Sequence, residues 1–342
     1  MDYTMLAARS RIISATRAFF DGRGYLEVLT PLLAPALIPE ACLEVFETTL
    51  LPPRGSRTMR EKPYYLVPSP EIWMKKLIAA HRASVYQICP SFRNCESTGS
   101  MHNPEFLMLE YYTMQADYLD SLALTEALFT HLLAACREDL LHFQTEEALA
   151  GLAPPFIRLT MEEAFCRCAG FSLNQAIARG TLGHEARRLG MEIAPETPDA
   201  DIYNLIFIHR VENALPREKP VALLDYPAIV PCLAQLKPSG GDGSPLCRER
   251  WELYLRGIEA ANCYSEETDG QAAGAFFQAE AAEKARSAAV PHAVDTGWLQ
   301  IFQDGSGFPR CSGVAVGMDR LIMALLGTRT LAGVLPFPMT RG

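Results

Sequence analysis

Two strand-like segments on either side of a polar loop constrain the fold of this chain more than any other feature. SVYQICPSF (84–92) and EFLMLEYY (105–112) are short and rich in aromatic and branched apolar residues, which is typical of strands. The loop between them, residues 94–104, is long for a hairpin, and long loops inside compact domains are often functional. We therefore predict two adjacent strands whose connecting loop contributes to a functional site.

Helices are predicted before, between and after the strands. Strands that are joined by hairpins and interspersed with helices are typical of an α+β fold, here an antiparallel β-sheet flanked by helices. We predict a single domain over residues 1–342, with a mostly helical insertion at about 160–215 that begins with a capping box of Thr160 and Glu163. Apolar residues near helical spacing predict a helix over residues 4–20. Further helices are predicted over residues 71–80, over residues 118–140, which are rich in Leu and Ala, and over residues 271–287, which are rich in Ala and Glu.

Composition excludes several classes of protein. The 342 residues carry a formal net charge of −9, which makes the chain a poor general binder of nucleic acid. No apolar run reaches the roughly 18 residues of a membrane helix, and the N-terminus lacks a signal core, so a cytoplasmic location is the default expectation. The ten cysteines are scattered without zinc-ligand spacing, so neither a disulfide scaffold nor structural zinc is expected.

The second strand of the hairpin carries charged and polar groups on an otherwise apolar face. Alternation along this strand places Phe106, Met108, Glu110 and Tyr112 on one face. A buried carboxylate without a partner is costly, so Glu110 suggests a site for a cation. The alternative is an ordinary sheet face that is exposed to solvent.

A second cluster, Glu259, Asn262 and Glu266, lies in the segment GIEAANCYSEE. Carboxylate and amide oxygens suit a hard cation such as Mg²⁺. Residues seven apart point to opposite faces of a flat strand, so a bend or bulge is required for Glu259 and Glu266 to converge. The alternative is a solvated acidic edge.

A third cluster lies where the strand CSGVAVG runs into the helix MDRLIMALL, which Gly327 ends. Gly313 and Gly317 allow close approach of a ligand or of another backbone segment. Arg320 occupies the first turn of the helix, where a cation opposes the helix dipole, so another interaction should compensate. Stacking on an aromatic base or pairing with a phosphate would serve, and an ion pair with a neighbouring aspartate is the alternative.

Taken in order, these segments resemble the motifs of class II aminoacyl-tRNA synthetases. The resemblance is closest to the lysyl subgroup and its short ligases that attach (R)-β-lysine to elongation factor P. GYLEVLTP is similar to motif 1, the dimer-interface signature, FRN through HNPEFLMLEYY to motif 2, and GVAVGMDRL to motif 3; SPEIWMKKL and GIEAANCYSEETD match the lysyl subgroup. The resemblance runs from about residue 5 to the C-terminus and implies the class II catalytic fold and a homodimer.

The same resemblance implies an ATP-dependent ligase that uses Mg²⁺. The substrate carboxylate would attack the α-phosphorus of ATP and give an acyl-adenylate, a reaction that needs positioning and charge neutralisation more than a protein nucleophile. Arg93 and Arg320 would be the catalytic residues, and Glu259 and Glu266 would bind the metal. The ATP-binding residues would be Arg93, Glu96, His102, Asn103, Phe106, Glu259, Gly317 and Arg320, and the substrate-binding residues would be Ser69, Glu71, Glu110, Tyr112, Asn262, Glu266 and Ala315.

The acceptor of the activated amino acid distinguishes the remaining hypotheses. The segment similar to motif 1 already arrives at Gly24, so an N-terminal anticodon-binding domain is not expected. This favours a lysine side chain of elongation factor P over tRNA. Ala315 stands where lysyl-tRNA synthetases usually have glycine, which favours β-lysine, although the α or β preference stays open. The alternatives are a truncated enzyme that charges tRNA or a small molecule, and a catalytically silent paralogue that binds lysine or nucleotide.

One part of motif 2 departs from the family pattern. The usual FRNE is FRNC here, with Cys95 in the place of the glutamate and Glu96 one step later, and the loop that follows is one residue longer. Recognition of adenine is therefore expected to differ more from the family than recognition of lysine.

Overall fold

Two β-sheets form the framework of the protein. The structure is a computed structural model that describes residues 2–54, 60–95, 99–237, 245–303 and 307–339. Within these residues the strands, in chain order, are β1 (Leu26–Glu27), β2 (Leu33–Ala34), β3 (Glu47–Leu50), β4 (Lys62–Leu66), β5 (Val85–Phe92), β6 (Glu105–Met114), β7 (Ile157–Thr160), β8 (Val221–Pro227), β9 (Cys247–Leu255), β10 (Ile258–Ser265) and β11 (Cys311–Gly317).

The predicted hairpin lies inside the larger sheet. Strands β5 and β6 pair antiparallel, with Val85 opposite Tyr112 and Phe92 opposite Glu105. The larger sheet has the order β1-β5-β6-β11-β10-β9-β8-β7, and the smaller sheet has the order β2-β4-β3. The predicted antiparallel sheet is confirmed for its six inner strands, whereas the edge strands β1 and β7 pair parallel with their neighbours. Periodicity within one strand carries no signal for the direction of its partner, so the sequence did not predict these parallel edges.

Helices surround the sheets, as predicted for an α+β fold. Residues 207–211 form a π-helical turn, and residues 212–214, 296–302 and 331–333 form 3-10 turns. The α-helices are α1 (Tyr3–Asp21), α2 (Glu71–His81), α3 (Tyr118–Ala135), α4 (Arg137–Leu140), α5 (Glu146–Gly151), α6 (Met161–Cys168), α7 (Leu173–Ala178), α8 (Leu182–Arg188), α9 (Asp199–Ile206), α10 (Gly270–Ser287) and α11 (Met318–Leu326).

The main core lies between one face of the large sheet and helices α1, α3 and α11. Alternate residues of the strands, such as Leu109, Tyr111 and Val314, are buried there against apolar residues of these helices. The structure divides the predicted helix at 118–140 at Cys136, whose backbone leaves the helical region (φ −107°, ψ 11°) while its side chain stays buried in the core. Because helices α1, α3 and α11 cover only one face of the large sheet, the opposite face can form a cleft.

Residues 160–215 are mostly helical, and the capping box at Thr160 and Glu163 is present at the start of α6. Helices α6 to α9 share a hydrophobic cluster of their own with strands β7 and β8. The description of this segment as an insertion into a single domain stays a prediction.

Helices α2 and α10 border the cleft, and the smaller sheet packs against them. Their shared apolar cluster includes Tyr65, Ile72, Phe277 and Trp298. In the described part of the chain, every helix is too short or too polar to span a lipid bilayer.

Candidate active site

The cleft face of the large sheet follows directly from strand alternation. Glu110 and Tyr112 of β6 point away from the core, whereas Leu109 and Tyr111, which alternate with them, are buried against the helices. This arrangement confirms the face that the sequence predicted. Because Glu110 is only 3% exposed, the alternative of a solvated sheet face is wrong.

Strand β11 has small residues on the cleft face, because the side chains beside them on that face are large and leave little space. Gly313 lies opposite Tyr112, and a Cβ atom there would be 2.2 Å from an oxygen of Glu266 and 2.6 Å from a ring carbon of Tyr112. Only glycine fits at this position. A Cβ atom at Gly317 would meet no protein atom closer than 3.7 Å, so the missing side chain there leaves open space.

The cleft contains two adjoining cavities, of about 200 Å³ and about 420 Å³. Glu96 lies outside the described residues; the structure brings all the other predicted site residues together, although their individual roles stay predictions. Ser69, Glu71, Glu110, Tyr112 and Glu266 line the smaller cavity, His102, Asn103, Phe106, Glu259, Gly317 and Arg320 line the larger one, and Arg93, Asn262 and Ala315 line both.

A buried lysine joins two carboxylates of the smaller cavity. The Nζ atom of Lys75 lies 2.5 Å from Glu71 and 2.7 Å from Glu266, and Lys75 is only 2% exposed. Burial alone would lower the pKa of Lys75, but Glu266 and Glu71 raise it above its usual value, so the side chain is an ammonium ion. The sequence analysis missed Lys75, although its position four residues after Glu71 on a helix was a usable signal.

Negative charge is in excess in the smaller cavity. Glu110 accepts a hydrogen bond of 2.7 Å from the hydroxyl of Tyr112, and no ammonium group lies against it within the described residues. Burial, reinforced by the charge of Glu71, raises the pKa of Glu110 to about 8. Burial raises the pKa of Glu266 to about 7, although Lys75 acts in the opposite direction. Three carboxylates thus share one lysine, and a ligand that brings positive charge would relieve the imbalance.

The predicted bulge in β10 is present. The pairing of β9 with β10 shifts register between Glu259 and Ala261, so Glu259, Asn262 and Glu266 all face the cleft. Burial and the nearby Glu252 raise the pKa of Glu259 to about 7, and among the described residues its carboxylate has no hydrogen-bond or ion-pair partner. This carboxylate fits one ligand of a hard cation.

Glu266 fits a metal site less well, because its carboxylate is already paired with Lys75. Among the described residues there is no group of three or more acidic, histidine or cysteine side chains that could hold a metal ion. A cation at Glu259 would therefore take most of its oxygen ligands from water or from a bound ligand, as Mg²⁺ commonly does.

Arginines mark the larger cavity. Arg320, in the first turn of α11, donates a 2.7 Å hydrogen bond to the backbone oxygen of Glu259. The alternative of an ion pair between Arg320 and its neighbouring aspartate is wrong, because Asp319 pairs with Arg9 at 2.7 Å and accepts a bond from the amide of Leu107. The Arg320 guanidinium is thus held at the cavity wall by one carbonyl.

Residues on either side of the hairpin loop supply a second guanidinium and an aromatic ring to the same cavity. The Cζ atom of Arg93 lies 5.3 Å from the ring centroid of Phe106, and the Arg93 amide donates to the carbonyl of Pro104 across the loop. Asn103 accepts a 3.1 Å bond from the amide of Met339. Two guanidinium groups beside a planar ring can hold an anion that carries an aromatic base.

A third arginine of the larger cavity, Arg250, was missed by the sequence analysis. The Nε atom of Arg250 donates 3.1 Å to Oδ1 of Asn262, and its Nη2 atom donates 2.5 Å to Glu252. The guanidinium also lies 4.3 Å and 5.4 Å from the ring centroids of Tyr226 and Tyr264. Because Arg250 occupies the oxygen of the Asn262 amide, the amide nitrogen is directed elsewhere. Charged residues that alternate in the strand sequence RERWELYL were the available signal.

Comparison with known proteins places this geometry in a family context. The family model described as tRNA synthetases class II (D, K and N) matches residues 3–341. The elongation factor P–(R)-β-lysine ligase of Photobacterium profundum is 31% identical over 338 residues, which cover 98% of this chain and 95% of the relative. The ligases of the same name from Pectobacterium atrosepticum and Avibacterium paragallinarum are each 32% identical, over 338 and 332 residues, and cover 98% and 97% of this chain.

Proposed function

Because the chain belongs to the class II tRNA synthetases of the D, K and N group, we propose that it activates lysine or (R)-β-lysine as an acyl-adenylate and transfers it to a lysine side chain of elongation factor P. The chain is an ATP-dependent aminoacyl ligase of this family. The observation that carries the detailed proposal is the pair of cavities with a shared wall. One cavity has an excess of carboxylates, and the other is lined by three guanidinium groups, those of Arg93, Arg250 and Arg320.

The larger cavity suits ATP. Arg93 is placed at the junction of the cavities, where it would pair with the α-phosphate, while Phe106 and Arg320 would lie on the two faces of the adenine. His102, Asn103 and Gly317 complete the wall of this compartment. Bound at Glu259, Mg²⁺ would supply additional neutralisation of phosphate charge.

The smaller cavity suits an amino acid with two amino groups. Glu110, oriented by the hydroxyl of Tyr112, would bind one ammonium group, and the Glu71–Lys75–Glu266 arrangement would supply further hydrogen-bond acceptors. Ser69 lies at the start of α2, where its hydroxyl accepts from the amide of Glu71.

The reaction requires the two ligands to meet at the shared wall. Arg93, Asn262 and Ala315 line both cavities, so a substrate carboxylate held there would lie beside the α-phosphorus. Attack of a carboxylate oxygen on that phosphorus forms the mixed anhydride and expels pyrophosphate. The amine of the acceptor lysine then attacks the carbonyl carbon, so that an amide forms and AMP leaves.

The proposed acceptor rests on the relatives, whose names specify elongation factor P and (R)-β-lysine. A translation factor as acceptor places the proposed reaction in the cytoplasm. A homodimer is part of the proposal because exposed apolar side chains lie in and just after the edge strand β1, where a second copy of the chain could cover them. Leu26, Leu29 and Leu33 are 60%, 88% and 45% exposed. Sedimentation of the purified protein tests the dimer.

Two assays test the function. Exchange of labelled pyrophosphate into ATP should depend on lysine or β-lysine and should not occur with norleucine, which lacks the terminal amino group. After incubation with ATP and the amino acid, the intact mass of elongation factor P should increase by one lysyl unit. If no diamino acid supports exchange, the proposed enzymatic activity is refuted. If the labelled amino acid appears on tRNA but not on elongation factor P, the proposed acceptor is refuted.

A further inference from the structure

Residues 40–45, which we term the strap, cross the cleft where its two cavities meet. Glu40, Cys42 and Leu43 line both cavities. Helix α10 fixes one side of the strap. The amide of Ala41 donates a 2.7 Å hydrogen bond to Glu280, and the ammonium of Lys284 donates to the backbone oxygens of Glu40, at 3.0 Å, and of Leu43.

The other side of the strap is fixed to the end of β5 and to the chain beyond α10. The backbone oxygen of Glu44 accepts a 2.9 Å bond from the amide of Asn94, while the Glu44 carboxylate accepts from the amides of Ala289 and Val290. The side chain of Asn94 also donates to the carbonyl of Val45 at 3.2 Å. Held at both sides, the strap presents Glu40 at a defined position.

The carboxylate of Glu40 has no assigned task in the fold. Within the described residues it has neither a hydrogen-bond nor an ion-pair partner. Glu40, Glu71 and Arg93 line the same cavity. Burial and the charge of Glu71 raise the pKa of Glu40 to about 7, whereas Arg93 acts in the opposite direction. The side chain of Glu40 is half-buried, and a carboxylate in such a position that lacks a protein partner is available to bind a ligand.

The geometry of the proposed reaction limits which part of the substrate can reach Glu40. The reacting carboxylate must lie at the shared wall beside Arg93, and an amino group on carbon 2 or carbon 3 is separated from the carboxyl carbon by only one or two carbon–carbon bonds. That amino group must therefore also lie near the junction, which Glu40 lines. The terminal amino group then extends into the smaller cavity towards Glu110, which lines that cavity and not the larger one.

We propose that Glu40 is a specificity-determining residue that binds the ammonium group next to the reacting carboxylate, on carbon 2 or carbon 3 of the substrate. This inference rests on the proposed function. It assigns recognition of the two amino groups to separate carboxylates, one on the strap and one on β6. The strap then selects diamino acids over acids that carry only a terminal amine.

The test compares Glu40→Gln with a rescue variant, Glu40→Asp, and with a matched control, Glu283→Gln. Glu283 lies on helix α10 next to Lys284 and lines neither cavity, and glutamine there removes the same charge. The measurements are the KM values of the diamino acid and of ATP in pyrophosphate exchange, and inhibition by 6-aminohexanoate. That analogue is lysine without the amino group on carbon 2.

Glu40→Gln should raise the KM of the diamino acid about tenfold or more, because a charge-assisted hydrogen bond is lost. The KM of ATP and the inhibition by 6-aminohexanoate should stay within about twofold, since neither ligand carries the group that Glu40 binds. Glu40→Asp should recover much of the loss, and Glu283→Gln should change the KM of the diamino acid by less than about threefold.

Three results overturn the role of Glu40. They are an unchanged KM of the diamino acid, an equal loss for the diamino acid and for ATP, and an equal weakening of 6-aminohexanoate. The proposed function is judged separately, because wild-type protein that exchanges pyrophosphate with no diamino acid refutes that function, whereas these three results require an active wild type.

Discussion

The two faces of the large sheet are built from the same strands and differ in what holds them together. On the core face, Leu109 and Val314 are buried among helices and gain stability from apolar burial and close packing. On the cleft face, one residue further along each strand, Glu110 and Ala315 line the cavities. The difference shows that one face of the sheet supplies stability while the other holds desolvated charges that reduce it.

The largest expected effect tests the core face. Leu109→Ala should lower the free energy of unfolding by about 3 kcal/mol, because Leu109 is fully buried and its truncation leaves a cavity. The folded fraction should keep its KM values for both substrates, since Leu109 lines neither cavity. Urea unfolding together with exchange kinetics measures both effects. A selective loss of amino-acid binding with unchanged stability would show that the two faces are not separable.

The neighbouring residue tests the cleft face. Glu110→Gln should reduce exchange with the diamino acid about a hundredfold at low substrate concentration, because it removes the charge partner of an ammonium group. Binding of ATP should be nearly unchanged, since Glu110 does not line the larger cavity. Separate KM determinations make the comparison, and an equal loss for both substrates contradicts the role of Glu110.

Glu110→Gln should also increase the free energy of unfolding. The folded protein raises the pKa of Glu110 to about 8, so between about pH 4.5 and pH 8 the folded state holds more protons than the unfolded state. The contribution of Glu110 to stability is thus fully present below about pH 4.5 and is lost as pH rises through about 8. Glu110→Gln should exceed the wild type by about 2 kcal/mol at pH 8.5, and the gain should vanish near pH 5. Thermal unfolding at the two pH values measures this, and a gain independent of pH would exclude the titration as its cause.

The nucleotide side of the cleft gives a smaller effect. Arg320→Ala should raise the KM of ATP about tenfold through loss of a stacking partner for adenine, while the KM of the diamino acid changes little. Arg93→Ala is the informative partner variant, because Arg93 lines both cavities and should affect both substrates. An unchanged KM of ATP in Arg320→Ala would show that Arg320 does not bind the nucleotide.

The smallest effect is a pH dependence of substrate affinity. Binding of an ammonium group needs ionised Glu110, so the KM of the diamino acid should fall as pH rises from about 6.5 towards about 8 and then level off. Glu266, whose pKa is about 7, contributes a change of the same sign. In Glu110→Gln the dependence should become shallower, and the KM of ATP provides the internal comparison. A KM that rises over this range would refute the assignment.

The sequence predicted what depends on local periodicity. Alternation placed Glu110 and Tyr112 on one face, and the spacing of Glu259 and Glu266 required the bulge that β10 contains. These features were accessible because each strand faces the core with every second residue. The family motifs added the order of the elements and the candidate roles.

The sequence did not reveal contacts between elements that are distant along the chain. Lys75 pairs with Glu266 only because the fold brings α2 to the residue that follows β10, and Glu40 reaches both cavities only because α10 fixes the strap. Arg250 contacts Asn262 across the β9–β10 pair, which depends on the register of that pair. No periodicity within a single segment specifies such meetings, so they required the tertiary structure.

The residues that line both cavities couple the evolution of the two binding sites. A methyl group at Ala315, an amide at Asn262 or a guanidinium at Arg93 lines both compartments, so any replacement there alters two ligands at once. Substitutions at these positions should therefore combine non-additively with changes deeper in either compartment. An enzyme of this family that evolves specificity for a different amino acid through these positions would therefore also have to change how it binds the nucleotide.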